Sequence, residues 1–342
     1  MRSAPRRAGL PGWRWWFAVA LVVAAVLALP GLVSQFALLQ ISVIAILSLL
    51  GLSEGFLWGF AGILSFGQTA FFGLGGYAYA IAALNFDRTT LPLLGAIVLP
   101  AILAALVGYF MIYGRIGDVY LSVITLVITL IFEKTMRATS GDQFVIGQVR
   151  LGGQNGIPSV PSLALPWSPD ATLGLTGVFY LSVVCLALVY VGLQVLLHRR
   201  WGRILVGIRE SESRAQLLGF DTRAYKLQAF VIAGAIAGFS GALYGVWGNF
   251  VAPEMFSLAQ SAQILIWVIV GGRTNLVGPI IGCAAIQYLT AALGTAAVGQ
   301  VTVVLGLILM VAVLLFPQGI LPGLLSAVGS LRRIAFRAGR MR

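Results

Sequence analysis

The residues able to make or break bonds are few in this chain and badly spaced for it. Its one histidine, His198, stands among arginines, and its two cysteines, Cys185 and Cys283, each lie inside an apolar run. A catalytic triad needs a nucleophile, a base and an orienting group, and a metal site needs several N, S or O ligands at workable spacing. Neither set assembles here, so no catalytic residue, metal, cofactor or disulfide framework is expected. The stretch 271–282, GGRTNLVGPIIG, has the glycines of a phosphate loop without its Gly-Lys-Ser/Thr end. It reads as a tight turn between two apolar segments, and ATP chemistry is not expected of the chain itself. What remains are ionisable residues in apolar surroundings, Glu54, Asp118, Glu133 and Lys134; inside a membrane such groups are functional candidates by default. Glu54 and Asp118 fall near span ends, which points to the interface, while Glu133 and Lys134 can pair with each other or with Arg137. No series of carboxylates suited to carrying protons emerges, and an enzyme is not indicated.

The elements that must position these residues are hydrophobic helices. Hydrophobic residues are 59% of the 342 and charged residues 9%, against roughly 25% charged in a soluble domain, and mean hydropathy is +0.98. Apolar runs of about 20 residues recur throughout, the length that crosses a bilayer as helix. The expected fold is all-α, a polytopic bundle of about ten spans near 15–34, 37–56, 62–84, 91–113, 118–137, 173–197, 224–247, 255–271, 275–296 and 300–316. The eighth is interrupted by Gln260 and Gln263. Around the membrane domain, 15–322, lie a basic N-terminus, 1–14, and a basic tail, 323–342.

Charge placement gives the topology. With both termini cytoplasmic, only Arg88, Lys134, Arg137 and Arg150 of the 22 Lys and Arg face the other side, as the positive-inside rule requires. The net charge of +12 therefore marks cytoplasmic loops beside membrane lipid and not a nucleic-acid surface. The segment 138–172, rich in glycine and proline, becomes the longest external loop, and 248–254 a shorter one.

Three motifs remain. In 62–77, GILSFGQTAFFGLGGY, glycines alternate with Ser65, Gln68 and Thr69; this is either a broken helix beside a translocation path or close packing on small residues. Ala233, Ala237, Gly241 and Gly245, with Gly234 and Gly238 beside them, repeat every four residues, which brings helix backbones together within the chain or against a second subunit. The stretch 198–223 holds six arginines, Glu210, Glu212 and Asp221. Ile204, Ile208, Ala215 and Leu218 form an apolar stripe broken at Ser211 and Glu212, and Gly219 is a natural stop. Such a helix lies on anionic lipid or inserts into a groove on a partner.

These residues resemble the permease subunits of bacterial ABC importers for branched-chain amino acids, and more closely the LivM type. The resemblance rests on Ile208, Arg209, Glu212, Ala215, Leu218 and Gly219; on Lys226, Leu227, Ala229, Phe230, Ala237, Gly238, Gly241, Ala242 and Leu243; and on Gly62, Leu64, Ser65, Gly67, Ala70, Phe71, Phe72, Gly73, Gly75 and Tyr77. Gly152, Gly153, Asn155, Gly156 and Ile157, then 271–282, then Phe316, Pro317 and Gly319 extend it over roughly 40–322. At 213–215 the sequence Ser-Arg-Ala stands where such permeases often carry Glu-Ala-Ala. The resemblance implies a multi-pass inner-membrane permease for branched-chain or hydrophobic amino acids. It implies a coupling helix at 203–218, with Arg203, Ile208, Arg209, Glu212, Ala215, Leu218 and Gly219 meeting a cytoplasmic ATPase. It also implies a second, homologous permease, two ATP-binding subunits and a periplasmic binding protein. Ser65, Gln68, Thr69 and Asn155 are candidates for the path, and Gly234, Gly238, Gly241 and Gly245 for helix packing. Ile266, Trp267 and the 271–273 glycines and arginine resemble the urea- and amide-importing branch, which leaves that substrate class as an alternative. A secondary transporter or channel is the alternative of another class.

Overall fold

The structure, a computed structural model, describes residues 33–86, 89–165 and 168–295, with isolated positions between 20 and 31 and at 306. The expected span at 300–316, most of that at 15–34 and both basic tails lie outside the described residues. Ten helices are described: α1 (Gln35–Phe56), α2 (Gln68–Phe86), α3 (Thr90–Tyr113), α4 (Asp118–Ala138), α5 (Leu175–His198), α6 (Arg200–Glu210), α7 (Glu212–Leu217), α8 (Thr222–Gly248), α9 (Leu258–Gly271) and α10 (Val277–Thr295). Among the described residues six segments are long and apolar enough to cross a membrane: Gln35–Ala61, Thr90–Tyr113, Val119–Ala138, Leu175–His198, Thr222–Gly248 and Val277–Gly294.

Two expected spans differ from the helices found. The one at 62–84 begins only at Gln68, and α2, with buried Gln68 and Thr69 and several buried glycines, is wrapped by protein rather than lipid. The one at 255–271 divides into a 3-10 turn, Pro253–Phe256, and the 14-residue α9. At 1.5 Å per residue α9 reaches about 21 Å, short of the roughly 30 Å apolar core of a bilayer. Pro253 cannot continue a helical ladder, and Ser257 caps the new helix by accepting from the Gln260 amide at 3.2 Å.

Helix α8 is the centre of the bundle. It lies against α2 and α3, which also pack on each other, and α1 packs on it as well. Between membrane helices the hydrophobic effect gives little net attraction, so close contact must supply the binding energy. Glycine makes that contact possible. A Cβ on Gly241 would sit 1.8 Å from the Phe72 carbonyl oxygen, and one on Gly75 would sit 2.1 Å from that of Gly238. Gly238 also receives the Pro100 ring, and Gly234 faces Ala104. The four-residue repeat thus serves contacts inside the chain. Around it Phe71 meets Phe230 edge to face, with centroids 5.6 Å apart, and the Ser240 hydroxyl donates to the Ile46 carbonyl at 2.7 Å.

The segment 138–172 forms a cap over one end of the bundle. Three two-stranded pairs stiffen it, and strand β1 (Ile157–Pro158) pairs with β2 (Phe250–Val251), the strand between α8 and α9. Asn249, in the left-handed region, ends α8 and sends its amide to the Val160 carbonyl and the Ser162 hydroxyl. The Tyr79 hydroxyl donates to the Pro161 carbonyl. Glu133 pairs with Arg137, which also reaches Glu254. Helices α6 and α7 project from the opposite end as a foot.

Candidate functional site

The foot is two helices, not the single helix expected over 203–218. Ser211 is fully extended and separates α6 from α7 where the apolar stripe is interrupted. Along α6, Ile208 is 1% exposed, and on α7 Ala215 is buried; Arg203 lies on the outer side, while Arg209 turns back toward Gly59. Helix α7 closes with a Schellman motif: the Gly219 amide donates to the Gln216 carbonyl and the Phe220 amide to that of Ala215. Gly219 supplies the required positive φ of 85°. Asp221 then starts α8 by accepting from the Arg223 and Ala224 amides.

Glu212 locks α7 to α8. It accepts from Lys226 Nζ at 2.6 Å and from the Thr222 hydroxyl at 3.0 Å. Burial alone pushes this carboxyl up, but Lys226, Thr222 and Arg223 together hold it below its ordinary value. Beyond this lock, Leu217 and Leu218 are 88% and 76% exposed. They stand beside an open groove of about 340 Å³ between α6 and α7, which Arg200, Arg203 and Arg214 line.

Above the foot, the chain unwinds. Helix α1 continues through a π turn, Leu57–Ala61, closed by the Gly62 amide donating to the Leu57 carbonyl; Gly62 takes a φ of +78°, and residues 63–67 run outside any helix until α2 begins. Backbone freed inside a membrane must be satisfied by protein, and side chains do so here. Glu54 Oε1 accepts from the Ser65 amide at 3.2 Å, and Thr125 Oγ1 from the Phe66 amide at 3.2 Å. The Ser122 and Thr129 hydroxyls donate to the Leu64 and Phe66 carbonyls. Ser65 turns back to the Gly67 amide, Gln68 accepts from Ser53, and Thr69 meets Ser261 of α9 at 2.6 Å.

Ser65, Gln68 and Thr69 are therefore brought together, buried, at the start of α2. Asn155 is not: it is exposed on the 3-10 turn of the cap, at the other end of the bundle. Glu54, expected at the interface, has no exposed surface, because the π turn carries α1 five residues further and leaves the carboxyl more than a turn inside. Ser122, Thr125 and Thr129 share one face of α4 at spacings of three and four residues, a pattern that an ordinary membrane helix shows as well. Trp267 is wholly buried, and its carbonyl closes on Gly282, so the 266–273 stretch packs α9 against α10.

Foot and unwound segment touch. Arg209 donates from its guanidinium to the Gly59 carbonyl, and a Cβ on Gly62 would lie 2.8 Å from Arg209 Cγ. Gly59 in turn abuts the Arg273 carbonyl, and Arg273 stacks over Trp58 at 5.5 Å. Among the described residues no group of acidic, histidine or cysteine side chains could hold a metal. The geometry connects the foot directly to the polar break in the bundle.

Residues 36–316 match the family described as the branched-chain amino acid transport system permease component. The chain is 30% identical over 336 residues to the high-affinity branched-chain amino acid transport system permease protein LivM of Escherichia coli, covering 90% of this chain and 74% of that one. It is 29% identical over 334 residues to the protein of the same name from Salmonella typhimurium, with the same coverage. A probable branched-chain amino acid transport permease protein LivM from Methanocaldococcus jannaschii is 26% identical over 273 residues, 68% of this chain and 74% of the relative. No solved structure matches the chain.

Proposed function

Because the chain belongs to the branched-chain amino acid transport permease family of ABC transporters, whose members are multi-pass inner-membrane proteins, we propose that its foot is the seat of a cytoplasmic ATPase. The observation that carries this is the exposed pair Leu217 and Leu218 beside the arginine-lined groove of α6 and α7. Apolar anchors ringed by charge are what a protein partner buries. The stiffly capped α7 and the Glu212–Lys226 lock present that pair in one orientation. A helix lying on lipid needs no such groove.

In this reading the foot end is cytoplasmic, the 138–172 cap is external, and about ten spans place both termini on the foot side. The partners are a homologous second permease, two ATP-binding subunits and an external binding protein that docks on the cap. Transport follows alternating access: closure of the ATPase pair moves the feet, and Arg209 passes the displacement to Gly59 and the unwound 62–67 segment. The substrates are branched-chain amino acids, as the relatives' names state for those proteins.

The test replaces surface residues only. Leu217→Glu with Leu218→Glu should release the ATPase on affinity purification while the permease still enters the membrane and elutes as a folded species. Retention of the ATPase by a folded double variant refutes the docking role.

A further inference from the structure

Between the α3–α4 turn, the unwound segment and the foot lies a cavity of about 450 Å³ that docking and coupling leave unused. Its floor is apolar and closed: Ile63, Ile112 and Leu121 are 1%, 8% and 3% exposed. Its wall carries Arg115, Arg223 and Lys226 against one carboxylate, Glu212. Lys226 is already spent on that carboxylate at 2.6 Å. Arg223 leans on the Tyr113 ring at 5.9 Å, and no described carboxylate side chain pairs with Arg115. Like charges gathered in one cavity repel unless an anion joins them.

The backbone fixes the place of that arginine. The Arg115 amide donates to the Ile112 carbonyl and the Ile116 amide to that of Met111, so α3 ends in a Schellman motif with Arg115 at its left-handed position, φ 56°.

We infer that this cavity binds a small carboxylate with an apolar body, the delivered amino acid itself, from the foot side. The inference rests on the proposed function for the identity of that acid. A guanidinium offers a carboxylate two parallel hydrogen bonds, the Glu212 carboxylate on the same wall is the partner for the ammonium, and the half-buried Ile116 beside Ile112 meets a short aliphatic side chain. A lipid phosphate shares the anionic chemistry, but the closed floor has no room for an acyl chain to continue. A bound acid would bridge the α3–α4 turn to Gln216 of α7, which also lines the cavity, and so restrain the foot. Accumulated product would then slow the importer.

The experiment is equilibrium binding of radiolabelled leucine to the nucleotide-free complex of permeases and ATPase in detergent, without binding protein. Arg115→Gly suits the left-handed backbone and should weaken leucine binding about tenfold, with Arg115→Lys recovering part of it. Absence of leucine binding to the wild-type complex, or equal affinity in Arg115→Gly, overturns the site. So does competitive displacement of leucine by phosphatidylglycerol micelles that Arg115→Gly abolishes, which would make it a lipid-headgroup site. In proteoliposomes holding ATP inside, leucine sealed in the lumen should slow uptake several-fold for wild type and leave Arg115→Gly unaffected; equal slowing of both overturns the regulatory role. If wild type shows no ATP-driven uptake at all, the importer reading fails, and the binding measurements still decide the site.

Discussion

Two glycine-rich regions of this bundle solve opposite problems. At the α2–α8 contact, glycines sit inside unbroken helices and let backbone touch backbone, as Gly241 does against Phe72. At 59–67, glycines end a helix, and the released amides and carbonyls turn to Glu54, Ser122, Thr125 and Thr129. The first region is filled to contact and has one arrangement. The second is held by a handful of side-chain hydrogen bonds, each worth roughly 1 kcal/mol net, so it can exchange one set for another. Rigid and yielding parts of the same bundle are thus distinguished by what surrounds glycine and not by glycine itself.

The sharpest way to break this contrast is at the rigid contact. Gly241→Leu places atoms where the Phe72 carbonyl stands and should cost more than about 3 kcal/mol, read as loss of monodisperse folded protein on size exclusion. A folded Gly241→Leu protein would mean the contact yields after all. In the yielding region, Glu54→Ala and Thr125→Val each orphan one buried amide, at about 1–3 kcal/mol. Both should lower the thermal midpoint in detergent while leaving folded protein to measure, and a cost equal to that of Gly241→Leu would erase the distinction. Arg209→Met removes the tie to Gly59; uptake should fall roughly tenfold while ATP hydrolysis continues, since a charged hydrogen bond of about 1.5–3 kcal/mol is lost at the junction. Proportional loss of both activities would place Arg209 in docking rather than transmission.

The smallest effect belongs to the foot. Glu212→Gln should cost under about 1 kcal/mol, because solvent screens this partly exposed pair. As the folded carboxyl titrates below its ordinary 4.5, its contribution is complete above that value and disappears as pH falls through the lowered one. Limited proteolysis at the 211–219 bend should therefore speed up in wild type at acid pH, and Glu212→Gln should show that faster rate already at neutral pH.

Much of this architecture is legible in residues alone. The run expected at 224–247 is found as Thr222–Gly248, because its Asp221 cap and its uniform apolar length both carry signals. The stop at Gly219 is visible because it needs a particular backbone that few residues allow, whereas the residues of 62–77 fit a break and close packing equally, and the span expected from 62 begins only at Gln68. The depth of Glu54 is hidden, since hydropathy cannot see a π turn extend α1 past its expected end. Thr125 and Thr129 are hidden too, because each also donates to a carbonyl of its own helix and so passes for an ordinary membrane threonine. The division of 203–218 at Ser211 is half legible: the interrupted stripe marks the place, but only the extended backbone there makes it a joint.

The short helix α9 has one further consequence. Its upper end follows strand β2, which is stitched to the cap, and its lower end delivers Arg273 against Gly59 and Trp58. It is a strut whose two bearings are the cap and the unwound segment above the foot. A push on the cap and a pull on the foot are, for this strut, the same displacement read from opposite ends.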